Sequence, residues 1–292
     1  MKSARNQAFN TWALLSGALA LLFAANPAKA AERVDVALVI ATDVSYSVDE
    51  DEARFQREGA IAAFRDPDVI KAIRSGPLGR IAVAYLDFSS ANSNRVLANW
   101  HVIRDKESSE AFADMLAGAR RTYGVQTSIS SGIEMAMRLH DANEYIAEKR
   151  VIDVSGDGPN NEGRLVEQAR DEAVAKGIIV NGLPIMTEAD KYDTYYLEDL
   201  DKYYAGCVIG GPGSFIQVAK GFQDLARALR RKLILEISDA RPAQPQTGFI
   251  KVAASTDAPA TVRPQKKKYV YEKGCDIGER MRYGVGLPRG LR

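Results

Sequence analysis

The feature that most constrains this chain is the stretch from Val34 to Ser47, where an apolar and largely β-branched run is broken off by Asp43, Ser45 and Ser47. Val36-Ala-Leu-Val-Ile-Ala41 offers apolar side chains to both sides, as in a strand buried inside a parallel sheet with helices over both faces. Ligands of such sheets collect beyond the carboxyl ends of the strands. Here that end presents one carboxylate and two hydroxyls at alternating positions, all hard oxygen donors. Ser47-Val-Asp-Glu50 also has the form of a capping box, which predicts that a helix opens at Ser47.

Downstream, the spacing predicts a helix over 48–64 closed by Asp66-Pro67, a short segment over 68–74, and strands over 81–88 and 95–103, the second more exposed. A helix over 109–119 is followed by Tyr123-Gly-Val-Gln-Thr127, which leads into a helix over about 128–140. A strand over 151–155 carries Asp153 and runs into Gly156-Asp157-Gly158-Pro159-Asn160-Asn161. Gly177 stops a helix over 163–176, and a strand over 178–184 follows. The tyrosine-rich stretch 192–204 reads as partly buried helix rather than as an interface. A turn at Gly210 to Gly213 precedes an expected last strand over 214–218 and a helix over 219–236, with Phe222, Leu225, Leu229 and Leu233 in register. This alternation predicts a doubly wound, mostly parallel central sheet with helices on both faces, Rossmann-like in outline.

Lys2 and Arg5 precede an apolar run from Trp12 to Ala25, and Ala28-Lys29-Ala30 fits a small-x-small cleavage site. Residues 1–30 therefore read as a secretory signal peptide, with a mature chain that starts at Ala31 in the periplasm or outside the cell. The run is too short for a bilayer span, which takes about 20 residues, and no later stretch is long enough. The net charge of +1 conceals a division: residues 31–239 hold 25 Lys+Arg against 34 Asp+Glu, a net of −9, and residues 240–292 hold 11 against 4, a net of +7. The first part reads as one acidic α/β domain. The second, with Pro242, Pro245, Pro259, Pro264 and Lys266-Lys267-Lys268, reads as a basic, extended tail. Its charge leaves open whether it meets an acidic partner or folds back on its own domain. Nothing points to nucleic acid. Cys207 and Cys275 allow a single intramolecular disulfide, which export permits, with free thiols as the alternative.

Three loops at strand ends thus carry oxygen: Asp43, Ser45 and Ser47 in the first, Thr127 in the second, Asp157 in the third. A threonine at a helix entrance is ordinarily only a cap. Gathered by an α/β sheet, however, two carboxylates and three hydroxyls suit Mg²⁺ or Mn²⁺, which take six oxygens and keep some of their water. Asp43-x-Ser45-x-Ser47 after a buried strand, Thr127 before a helix and Asp157-Gly158 after a later strand resemble the metal-ion-dependent adhesion site (MIDAS) of von Willebrand factor A-type domains. The resemblance covers about residues 31–239. Its end, Ala-Leu-Arg-Arg-Lys-Leu-Ile-Leu-Glu-Ile at 228–237, is similar to the last helix of exported bacterial members of unassigned function. It implies that Ser45, Ser47 and Thr127 touch the metal directly and that Asp43 and Asp157 do so directly or through water. An acidic group from a partner protein would complete the coordination. In one respect the chain departs from the family. The third loop usually reads Thr-Asp-Gly, whereas here Ser155-Gly156-Asp157-Gly158 leaves the hydroxyl beside the aspartate absent or displaced. Asp87 and Asp153 also stand where the family tends to carry uncharged residues, either as partners of a basic side chain or as supports of the metal ligands.

Three function classes follow. The favoured one is an exported, divalent-metal-dependent protein-binding module. The second is a metal-dependent hydrolase of phosphoesterase type, but His101 and His140 have no catalytic or metal-ligand spacing, and there is no Gly-x-Ser-x-Gly or phosphate-binding loop. The third is a structural protein that uses the fold without metal.

Overall fold

β1 (Arg33–Asp43) is buried from Val34 onward and lies third in a six-stranded sheet, as its unbroken apolar run requires. The computed structural model describes residues 31–120, 122–188, 195–237 and 269–285, so the expected signal peptide and most of the expected tail lie outside the described residues. After β1 come α1 (Glu50–Arg65), α2 (Pro67–Arg74), β2 (Ile81–Phe88), β3 (Arg95–Ile103), α3 (Lys106–Gly118), α4 (Ile129–Ala142) and β4 (Ile146–Gly156). The chain continues through α5 (Val166–Ala175), β5 (Ile178–Met186), α6 (Leu200–Tyr203), a π-helical turn (Tyr204–Val208), β6 (Ala219–Lys220), α7 (Leu225–Ile237) and α8 (Ile277–Tyr283). The strand order is β3-β2-β1-β4-β5-β6. All neighbours run parallel except β2 and β3, an antiparallel edge pair.

Side chains alternate across β1 and feed two cores. Val36, Leu38 and Ile40 join Phe64 of α1, Ile73 of α2, Phe112 of α3 and Leu233 of α7. Val39 and Ala41 join Ile133 of α4, Ala169 of α5, Tyr203 of α6 and Ile277 of α8. Helices therefore cover both faces, as a doubly wound sheet demands.

Where local signals compete, the outcome differs from the sequence expectation. α1 opens two residues later than expected, because Asp49 rather than Ser47 is its N-cap and pairs with Glu52 in a complete capping box. The Ser47 hydroxyl is engaged elsewhere, as described below. The last strand is Ala219–Lys220, beside Ile185 and Met186, while 214–218 supplies only a bridge from Ile216 to Gly182. Within the stretch expected as tail, residues 269–285 pack on the domain through α8 and the Cys207–Cys275 disulfide, which joins positions 68 apart in sequence. Asp199 receives both the Tyr271 hydroxyl at 2.9 Å and the Lys273 ammonium at 2.7 Å.

Asp87 and Asp153 are both paired with basic groups. Asp87 lies 3.5 Å from the Arg57 guanidinium and accepts from Thr122 Oγ1 at 2.7 Å. Asp153 meets Lys232 of α7, which is wholly buried and also bonds Glu236 at 2.7 Å. Asn181 Nδ2 donates to the same Glu236 oxygen at 2.6 Å.

Candidate metal centre

The chain turns from β1 toward β2 on one side and reaches β4 on the other, so the carboxyl ends of β1 and β4 mark the topological switch point, where ligands of open α/β sheets bind. Asp43 ends β1, and Asp157 follows the last residue of β4. Thr127 arrives from the loop ahead of α4, whose N-cap is Ser128, so its own hydroxyl is not used as a cap.

The sheet brings all three loops together. Thr127 Oγ1 donates to Ser45 Oγ at 3.0 Å, Ser45 Oγ lies 3.1 Å from Ser47 Oγ, and Ser47 Oγ donates to Asp157 Oδ1 at 2.9 Å. Four of the five expected donors thus form one continuous chain of oxygens. The fifth, Asp43, accepts the Ser45 amide on Oδ1 at 2.9 Å. Its Oδ2 is buried and has no hydrogen-bond partner among the described residues. Burial raises the Asp43 pKa well above the ordinary carboxylate value, and the Asp157 charge pushes it further in the same direction.

This arrangement fits a small hard cation. Oxygens that share an octahedral ion at about 2.1 Å stand about 3 Å apart along an edge, and the three hydroxyl-linked spacings of 2.9, 3.0 and 3.1 Å match that edge. A buried carboxylate oxygen without a partner is costly, and a cation would satisfy it while lowering the repulsion between Asp43 and Asp157. Among the described residues no group of three or more His, Cys, Asp or Glu could hold a metal ion. The set on offer is therefore two carboxylates and three hydroxyls, suited to Mg²⁺ or Mn²⁺ rather than to a soft metal.

Sequence reasoning left out the groups that hold these loops. Thr127 N donates to Asn161 Oδ1 at 2.9 Å, and Asn161 N returns a bond to Thr127 O at 2.8 Å. Asn160 Oδ1 accepts the Ser130 amide at 2.9 Å, and Asn160 Nδ2 donates to Glu279 of α8 at 2.7 Å. Arg282 reaches Asn161 O and Glu162, each at 3.2 Å. Paired asparagines after a glycine-proline loop were the available signal, but their partners are remote in sequence. Gly156 is explained by close approach, since a Cβ there would lie 3.0 Å from Asp43 Cβ, Asp43 Oδ2 and the Tyr204 hydroxyl. Ser155 is buried beside it and reaches Thr42 Oγ1 at 3.4 Å.

Comparison with known proteins gives a family and a fold. Residues 33–241 match the model of a family described as "Protein of unknown function (DUF1194)". No curated protein matches the chain. Among solved structures, the pilus adhesin SpaC from Lactobacillus rhamnosus GG is similar at 13% identity and a TM-score of 0.52, covering 71% of this chain and 31% of its own. Proximal thread matrix protein 1 from the mussel byssus is similar at 17% identity and a TM-score of 0.50, covering 71% of this chain and 47% of its own. A von Willebrand factor type A protein from Catenulispora acidiphila follows at 15% identity and 0.49, covering 70% and 43%. This chain thus spans about half the length of the mussel protein and under a third of the adhesin.

Proposed function

The chain belongs to the DUF1194 family and carries a von Willebrand A-like domain, and from that premise we propose that it is an exported protein-binding module dependent on a divalent cation. The observation that carries this reading is the convergence of Thr127, Ser45, Ser47 and Asp157 into one chain of oxygens beside the unpartnered Asp43 carboxylate. Ser45, Ser47, Thr127, Asp43 and Asp157 would hold Mg²⁺ or Mn²⁺, and the bound ion would supply an electrophilic position for an acidic group from a partner protein. Two carboxylates roughly balance a +2 ion, while three hydroxyls add donors without charge. A partner carboxylate is then favoured over water at the remaining position.

The surroundings of the site support binding rather than catalysis. Tyr46, set between the two serine ligands, is 86% exposed, and Tyr123 and Val125, just ahead of Thr127, are 66% and 69% exposed. Large apolar side chains around a polar centre are the usual anchors of protein interfaces. His140 lies near the carboxyl end of α4, whereas Thr127 stands ahead of its amino end, and His101 pairs with Val83 near the start of β2. Both are thus placed away from the strand ends that carry these oxygens, where a general base would have to reach them.

The test is capture from periplasmic extract by the immobilised mature protein, first in Mg²⁺ and then in chelator, with Asp43→Asn and Tyr46→Ala in parallel. A partner held in Mg²⁺, released by chelator and lost in both variants is the expected result. Capture indifferent to chelator would contradict the proposal.

A further inference from the structure

We propose that the Tyr204 hydroxyl is a positioning group of this metal site, filling the space left by Gly156 beside Asp157 and bonding, through one water, to the open oxygen of Asp43. The inference rests on the metal-binding reading and adds to it a residue that the family pattern does not contain. Tyr204 is fully buried, yet its hydroxyl has no hydrogen-bond partner among the described residues. Leaving such a group unsatisfied is costly, and native proteins rarely retain one without a use for it. Asp43 Oδ2 is the second buried oxygen in the same condition. Both lie 3.0 Å from the point where a Gly156 Cβ would stand. They are therefore no more than about 6 Å apart, a span that one water bridges.

The backbone around Tyr204 is built to hold it there. Tyr204 opens the π-helical turn, a rare geometry that recurs at functional sites. Three residues on, Cys207 ties that turn to Cys275. The neighbouring Tyr203 hydroxyl accepts the Asn160 amide at 3.1 Å. Two successive tyrosines thus address the two halves of the site, one supporting the Asp157 loop and the other facing Asp43. A side chain at position 156 would crowd Asp43 and the Tyr204 hydroxyl, each 3.0 Å from its Cβ, so Gly156 and Tyr204 form a matched pair: the hydroxyl missing beside Asp157 is supplied by Tyr204.

Tyr204→Phe separates this role from simple packing, because it keeps the ring and removes only the oxygen. The full mature chain is studied without metal and with Mg²⁺ and Mn²⁺, by thermal unfolding, calorimetry and tyrosine difference absorbance. Three results are expected. The metal-free Tm of Tyr204→Phe stays close to that of wild type, because the hydroxyl has no direct protein partner among the described residues and only a water-mediated bond is lost. Its affinity for Mg²⁺ is about 10- to 100-fold weaker, as for other groups that orient metal ligands. The tyrosine difference signal that Mg²⁺ induces in wild type is smaller by the contribution of the buried Tyr204. Wild-type affinity in Tyr204→Phe, or a metal-free Tm that falls together with the affinity, overturns the role of Tyr204 alone. No metal uptake by wild type overturns the reading of the site and this inference with it.

Discussion

His140 shows how one buried side chain sets the response of this fold to acid. Its Nε2–H donates to Val151 O at 3.0 Å, its Nδ1 is buried without a partner, and its ring packs 5.3 Å from that of Trp100. Burial, with Arg150 adding to it, brings its pKa down to about 4. The unfolded chain gains this proton as pH falls through about 6.5, whereas the folded chain refuses it until about 4, so stability is lost across that window. The loss amounts to as much as about 3 kcal/mol. Asp43 and Asp153 have raised pKa values and act with the opposite sign, so the test compares wild type with His140→Leu by urea unfolding at pH 7.5 and pH 4.5. The advantage of wild type over the variant should shrink at the lower pH; an equal difference at both contradicts the assignment. The same scale explains what could be read from sequence. Asp43, Ser45 and Ser47 announce themselves by alternating after an apolar strand, and Asp157 by its glycines. Asn161 and Tyr204 do not, because each acquires its role only where the fold carries it to a loop distant along the chain.

At the scale of elements, alternating strands and helices were legible because each buries an apolar face with its own period. β6 lies a few residues beyond its expected place, since a two-residue edge strand is held by its neighbours and carries no periodic signal of its own. α8 carries no clear signal of its own, because a short helix in a basic, proline-rich stretch forms only when docked, here by the disulfide, by Glu279, which accepts Asn160 Nδ2, and by Arg282, which donates to Asn161 O. Cys207→Ser with Cys275→Ser should therefore lower stability by about 2–4 kcal/mol, a Tm loss on the order of 10 °C. Differential scanning calorimetry measures it; an unchanged Tm would show that α8 does not brace the domain. The contact of α7 with β4 makes a sharper prediction. Lys232→Met leaves Asp153 and Glu236 buried without their counter-charge, and the expected cost is about 3–5 kcal/mol. Adding Asp153→Asn should recover part of it in chemical denaturation, and no recovery would place the cost in packing instead.

At the scale of the molecule, Lys2 and Arg5, the apolar run after them and Ala28-Lys29-Ala30 predict an exported chain whose mature form starts at Ala31. Mass spectrometry of the periplasmic fraction should give that terminus, whereas an intact Met1 in membranes would contradict it. The sheet order is what turns scattered oxygens into a site, because the switch point beside β1 gathers loops that are 84 and 114 residues from Asp43 in the cases of Thr127 and Asp157. The central claim is that these loops bind a divalent cation, and Asp43→Asn tests it most directly. The variant keeps the acceptor for the Ser45 amide and removes a desolvated charge, so its metal-free Tm should equal or exceed that of wild type. At 100 times the dissociation constant a bound ion stabilises the fold by about 2.7 kcal/mol. Thermal unfolding with and without Mg²⁺ or Mn²⁺ should therefore raise the Tm of wild type clearly and leave Asp43→Asn nearly unmoved, whereas an equal rise in both, or none in wild type, would contradict a metal site at these five residues.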